Sequence, residues 1–160
     1  QIGSGNIGAT NVLRTGRNGV AAATLLLDAG KGALAVWLGQ HFSGETAALA
    51  AGAAAFVGHV YPLWLKFRGG KGVATLLGVC LMLQPLAGLA FALAWVGVAL
   101  ATRISSAGGM AGGFAAAAAL ALLHQPRAAL VVLVLAIWVL RTHRENIRRL
   151  LAGTENRFKA

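Results

Sequence analysis

Long apolar blocks alternate along the chain with short polar connectors, most of them basic. The blocks fall at residues 20–38, 47–65, 73–84, 86–102, 104–123 and 128–140. A helix that crosses a bilayer needs about 20 apolar residues, or a few fewer where the bilayer thins. Blocks of this length predict membrane helices rather than the core of a globular domain. The stretch 73–102 is too long for one such helix and short for two, and Pro85 in its middle is a natural turn. The positions of Lys and Arg decide the matter, because these residues accumulate in cytoplasmic connectors. With two helices there, every Lys and Arg lies on one side, except Arg127 opposite and Lys31 within a span. One fused helix would divide the same residues almost evenly. The pattern therefore predicts an all-α, polytopic integral membrane bundle. It has six transmembrane helices in a single domain over residues 1–160, with both ends cytoplasmic.

Composition agrees. Of 160 residues, 58% are hydrophobic and 11% charged, against roughly 25% charged in a soluble domain. Four acids face fourteen Lys and Arg, for a formal net charge of +10. That is too few ionisable groups for a soluble exterior and too much apolar mass for disorder. Cys80 is the one cysteine and lies in an apolar block, so it packs as a small hydrophobe and no disulfide framework exists. Nucleic-acid binders carry their basic residues on a soluble face; here they sit in connectors, so no nucleic acid is expected. Gly108, Gly109, Gly112 and Gly113 form two overlapping small-residue pairs that allow helices to approach closely. The four His are scattered and no two acids lie close together, so neither metal nor cofactor is expected.

Three connectors carry more than charge. Gly3-Ser4-Gly5-Asn6-Ile7-Gly8 fits G-x-G-x-x-G, but a dinucleotide fingerprint needs a βαβ unit around it, and here the downstream acid, Asp28, sits in an apolar span. The segment has other uses. Its glycines permit tight turns, Ser4, Asn6, Thr10 and Asn11 supply neutral hydrogen-bonding groups, and Arg14 follows. This makes either an anion-binding nest or a plain polar connector. The second cluster, Phe67-Arg68-Gly69-Gly70-Lys71-Gly72-Val73-Ala74-Thr75, places glycines around a Lys at a helix start. That arrangement suits phosphate, through close backbone approach, the helix dipole and a cation, though it is no Walker A loop. Just before it, His59 in Gly58-His59-Val60-Tyr61-Pro62 is either a proton-transfer group or a hydrogen-bonded packing residue. The third cluster runs from His143 to Glu155. Ile147, Leu150 and Leu151 form an apolar stripe, so the last span should continue as an amphipathic helix with His143 and Asn146 on one face and Gly153 at its stop. A basic helix of this kind also suits anionic lipid. Asp28 and Lys31, three apart inside the first span, should pair with each other, since each charge costs about 2.5–3.5 kcal/mol at a helix centre.

In this order and on one membrane side, the three clusters resemble the bacterial acyl-phosphate:glycerol-3-phosphate acyltransferase family (PlsY type). The strings that carry the resemblance are GSGNIGATNVLR at 3–14, GHVYPLWLKFRGGKGVAT at 58–75 and HRENIRRLLAGTE at 143–155, with D-x-x-K-G at 28–32. The likeness covers essentially the whole chain. It implies one further span before the first motif, hence seven in the intact protein. Arg157 stands where the family commonly has Lys. The implied activity is transfer of a fatty acyl group from acyl phosphate to the 1-hydroxyl of glycerol 3-phosphate. The products are 1-acylglycerol 3-phosphate (lysophosphatidic acid) and inorganic phosphate, in the first acylation of phospholipid synthesis at the bacterial inner membrane. Ser4, Arg14, Lys71, His143 and Asn146 match the family's functional positions, and Glu155 a more structural one. The Gly69–Gly72 loop (Gly69, Gly70, Gly72) matches the glycerol 3-phosphate motif, and Gly5, Asn6, Thr10, Asn11 and Thr75 are the further candidate contacts. No obligate protein partner is implied. The alternative class is a small anion transporter or channel; its ionisable residues should spread across membrane depth, whereas here they gather at one rim.

Overall fold

The computed structural model of the chain describes residues 7–158. It is helical throughout, with no strand among the described residues: α1 Ala9–Leu13, α2 Asn18–Val60, a 3-10 turn at Leu63–Leu65, α3 Val73–Leu83, α4 Pro85–Thr102, α5 Ser105–Leu122, α6 Pro126–Thr142 and α7 Arg144–Leu151. The ends follow from local chemistry. Pro85 and Pro126 open α4 and α6 at positions where a missing N–H costs nothing. Pro62 stops α2 after Val60, so the expected block 47–65 ends five residues early and continues as the 3-10 turn.

α2 is continuous only by label. Gly44 has φ 78° and ψ −167°, outside helical geometry. A Cβ added to Gly39 would lie 2.6 Å from the Ala47 carbonyl oxygen, and one on Gly52 would lie 2.9 Å from Val36. Pairings of 39 with 47 and of 36 with 52 require residues 18–43 and 45–60 to run antiparallel. α2 is therefore a helical hairpin with a one-residue corner, and the polar connector expected between 38 and 47 is mostly helical itself.

Small residues let the bundle close. Gly78 packs against the Ala29 backbone and Gly32 against that of Thr75, which brings α3 onto the first limb of α2. The two glycine pairs of α5 divide their work. Gly108 and Gly112 face Trp95 and Phe91 of α4, while Gly109 and Gly113 face Val73 of α3 and Ala136 of α6. Phe56, Leu76, Cys80, Phe91, Leu120 and Val132 fill the centre. Outside, Leu26, Leu100, Leu122 and Leu130 are exposed, as lipid-facing side chains would be.

By length and composition, Asn18–Leu65, Pro85–Thr102 and Ser105–Leu122 can each cross a membrane, with a fourth crossing if Pro126–Thr142 and Arg144–Leu151 are taken together. This is fewer than the six expected. The first of them contains the Gly44 corner, and α3 has 11 residues, about 16 Å of helix. The expected continuation of the last span into its amphipathic tail is also corrected, because α7 bends 62° away from α6 at His143. Gly153, with φ 69°, ends α7 as the sequence indicates.

Candidate active site

The first residues of α3 line a cavity of about 300 Å³. α1 supplies Thr10, Asn11 and, at its C-cap, Arg14. The first limb of α2 supplies Leu25 and Asp28, and the second supplies His59. Lys71, Gly72, Val73, Ala74 and Leu77 come from the α3 entrance. α4 gives Phe91, Ala92, Trp95 and Val96; α5 gives Ser105, Ser106 and Gly109; His143, Asn146 and Glu155 close the ring. Polar groups thus face an apolar wall across one space.

A chain of hydrogen bonds fixes the polar side. Lys71 Nζ donates to Asn146 Oδ1 at 2.5 Å, and Asn146 Nδ2 donates to Glu155 Oε1 at 2.6 Å. Ser106 Oγ donates to the same carboxylate oxygen at 2.8 Å, while Arg149 Nε donates to Oε2 at 2.6 Å. Burial pushes the Glu155 carboxyl up, but these bonds from Asn146, Arg149 and Ser106 outweigh it and the net shift is downward. Asn146 thereby has both ends of its amide committed, and its oxygen must face Lys71. Thr142 Oγ1 donates to the Lys71 carbonyl at 3.0 Å, holding the lysine's main chain as well.

Burial pushes the Lys71 ammonium down to about 8; Glu155 opposes this, while Arg149 and Arg14 reinforce it. At neutral pH the lysine is mostly charged, in a half-buried setting where one more anion would be welcome. Burial also pushes His143 down to about 4, helped by the Lys71 charge and opposed by the Val139 carbonyl and Glu155. The imidazole is therefore neutral near pH 7. Its Nδ1 lies 2.8 Å from the Val139 carbonyl oxygen, which can only accept, so Nδ1 carries the proton and Nε2 is left with a lone pair.

The N-terminus of α3 is the other anion-receiving feature. Gly72, with φ 86°, is its N-cap and no side chain caps it. The first intrahelical bond runs from the Leu76 N–H to the Gly72 carbonyl. The N–H groups before Leu76 have no helical acceptor, and Gly72, Val73 and Ala74 lie on the cavity wall. Partial positive charge thus converges there with Lys71 and Arg14.

The expected site residues separate clearly. Arg14, Lys71, His143, Asn146, Thr10, Asn11 and Gly72 meet at the cavity. Gly69 and Gly70 lie outside the cavity lining: their N–H groups donate to the Val60 and His59 carbonyls, both at 3.1 Å, and so are spent within the protein. Thr75 is fully buried against Gly32, and its hydroxyl has no hydrogen-bond partner among the described residues. Ser4, Gly5 and Asn6 lie outside the described residues. Ser105 and Ser106 were not legible, since a Ser pair opening a helix looks like ordinary capping. Ser105 Oγ lies 3.3 Å from Thr10 Oγ1 and ties α1 over the cavity. Among the described residues, no three His, Cys, Asp or Glu side chains gather as metal ligands would.

Fold and site together define an integral membrane helical protein with a cavity in which cationic and amide groups face apolar helix side chains. The family model for glycerol-3-phosphate acyltransferase matches residues 1–153. A glycerol-3-phosphate acyltransferase of Methylorubrum extorquens (strain PA1) is 55% identical over 157 residues, covering 98% of this chain and 77% of that protein. One from Mesorhizobium japonicum is 52% identical over 160 residues, covering 100% and 82%. The crystal structure of PlsY (YgiH), an integral membrane glycerol 3-phosphate acyltransferase, in its glycerol 3-phosphate form superposes with a TM-score of 0.94 at 35% identity, covering 99% of this chain and 80% of that one. Its lysophosphatidic acid form gives 0.93 at 34% identity. The chain belongs to the glycerol-3-phosphate acyltransferase family and is an acyltransferase.

Proposed function

We propose that the chain transfers a fatty acyl group from an acyl phosphate to the 1-hydroxyl of glycerol 3-phosphate, releasing 1-acylglycerol 3-phosphate and inorganic phosphate. One observation carries this reading: Arg14, Lys71 and the open N-terminus of α3 share a single cavity with an apolar wall of Leu25, Leu77, Phe91, Trp95 and Val96. Two phosphates and one acyl tail need that combination. The relatives' names and the bound forms of PlsY support glycerol 3-phosphate as the acceptor and lysophosphatidic acid as the product.

The donor is already activated, so the work of the site is to juxtapose two anions and offset their repulsion. Lys71, Arg14 and the α3 N–H groups receive the phosphates. The second N–H of the Asn146 amide donates to a substrate oxygen, alongside Thr10 and Asn11, and Ser4, Gly5 and Asn6, which lie outside the described residues, are the further substrate contacts in this reading. The hydroxyl oxygen attacks the acyl carbon, the bond from that carbon to the phosphate oxygen breaks, and phosphate leaves with the electron pair. The hydroxyl proton goes to a substrate phosphate. His143 keeps its Nδ1–H on the Val139 carbonyl, with no carboxylate behind it to orient the ring as a base. Transfer is direct; an acyl group trapped on Ser4 would overturn that.

His143 then acts through hydrogen bonding. His143→Ala is expected to lower kcat about a hundredfold and His143→Gln by less than about tenfold, because an amide can still hydrogen-bond there. Equal losses in both variants, with an acid limb in kcat that disappears in both, would make His143 the base.

The same reading places six helices across a bacterial inner membrane, with the Gly44 hairpin counted as two crossings and the pocket open to the cytoplasm. Glycerol 3-phosphate does not cross lipid, so sealed vesicles test function and sidedness together. Inside-out vesicles given palmitoyl phosphate and external glycerol 3-phosphate are expected to form lysophosphatidic acid and release phosphate only when both substrates are present. Right-side-out vesicles are expected to stay inert. Product in the right-side-out set alone would reverse the topology, and product in neither would end the functional proposal.

A further inference from the structure

We propose that His59, held by Asp28 and Lys31, is a positioning residue that sets where the Gly69–Gly70 backbone lies, and through it where Lys71 and the α3 N-terminus face the cavity. The inference rests on the acyltransferase reading above.

Three side chains from the two limbs of α2 converge. Lys31 Nζ donates to Asp28 Oδ1 at 2.6 Å and to His59 Nδ1 at 2.7 Å, and Asp28 Oδ1 is 3.4 Å from the same ring nitrogen. An ammonium only donates, so Nδ1 accepts and the ring proton sits on Nε2. A Lys–Asp pair three apart already satisfies itself within an apolar span. The additional reach to His59 does something else: it fixes the rotation of a buried imidazole.

The other edge of that ring carries the consequence. A Cβ on Gly70 would overlap His59 Nε2, and the next two atoms it would meet belong to the same ring. A Cβ on Gly69 would overlap the His59 and Val60 carbonyls and Pro62. Both glycine N–H groups are bonded to those carbonyls. The turn is therefore held against His59 by two main-chain hydrogen bonds and by contact with the Nε2 edge of the ring, and Lys71 is its next residue. These glycines are needed for close approach, with their N–H groups spent inside the protein. A displacement of about 1 Å in a positioning element can cost a hundredfold in rate, so the brace acts through the turn it holds, although Asp28 and His59 also line the cavity.

The test uses the full chain in proteoliposomes, with melting temperature, kcat and both KM values measured for the wild type, His59→Ala, Gly70→Ala, the double variant and Lys31→Met. Gly70→Ala is expected to lower kcat/KM for glycerol 3-phosphate about a hundredfold. His59→Ala and Lys31→Met are expected to raise that KM about tenfold and fivefold, leaving the KM for palmitoyl phosphate within about twofold. The double variant is expected to recover at least about tenfold over Gly70→Ala, because the new methyl enters the space the ring vacates. The inference fails if the double variant is no more active than Gly70→Ala. It also fails if His59→Ala and Lys31→Met shift both KM values alike, or lower the melting temperature with unchanged kinetics. A wild type inert with both substrates present would instead refute the acyltransferase reading itself.

Discussion

Replacing Lys71 with methionine is expected to lower kcat/KM for glycerol 3-phosphate about a thousandfold, with the bundle still folded. Lys71 donates to Asn146 at 2.5 Å, has its main chain held by Thr142, and stands beside the open end of α3. Methionine keeps the length and apolar stem of the side chain and removes the charge. Deleting one preorganised charge stabiliser costs about 10²–10³ in rate, and a thousandfold corresponds to about 4 kcal/mol of transition-state stabilisation. The pH profile separates this role from mere packing. Lys71 in the free chain titrates near 8, so it loses its charge as the pH rises through that value. kcat/KM, which reports the free enzyme, should then fall above about pH 8 in the wild type. The same limb should be missing in Lys71→Met. In kcat the limb should move to higher pH, because a bound phosphate favours the ammonium. A wild-type limb that persists in Lys71→Met would assign it to another group.

Glu155→Leu is expected to lower activity about a hundredfold and to cost about 2 kcal/mol of stability. The carboxylate accepts from Ser106, Asn146 and Arg149 at once, so its loss strands donors on α5 and α7 and frees the Asn146 amide to turn its oxygen from Lys71. Glu155→Gln keeps the shape and one acceptor, and about tenfold should return. Because the folded-state value of Glu155 lies below its ordinary 4.5, its stabilisation is fully present above that ordinary value. It is lost as the pH falls through the lower folded-state one. Thermal unfolding of wild type and Glu155→Leu should therefore differ at neutral pH and converge in strong acid. A constant gap would remove the carboxylate's charge from the explanation.

Much of this arrangement was legible before any coordinates. Pro85 announced the break between two helices and Gly153 a stop, and the polar clusters did bring Arg14, Lys71, His143 and Asn146 to one cavity. Four particulars were hidden, each for a physical reason. Gly44 turns a whole helix with one non-helical residue, which periodicity cannot detect. Gly69 and Gly70 looked like anion donors because sequence counts N–H groups and does not show where they are spent. Thr75 falls on the α2-facing side of the first turn of α3, a matter of helix phase rather than of motif. His59 and Lys31 stand 28 residues apart in the chain and meet only because the α2 hairpin folds them together. Polar residues within apolar spans read as pairs from sequence; what they brace becomes visible in three dimensions.

The most direct test of the central claim is a structure of the chain with glycerol 3-phosphate and a non-hydrolysable long-chain acyl phosphonate bound together. The account predicts both phosphorus groups inside the one cavity, at Lys71, Arg14 and the N-terminus of α3, with the tail running along Leu25, Trp95 and Val96. A phosphorus group seated elsewhere, or a tail leaving through a different pair of helices, would contradict it.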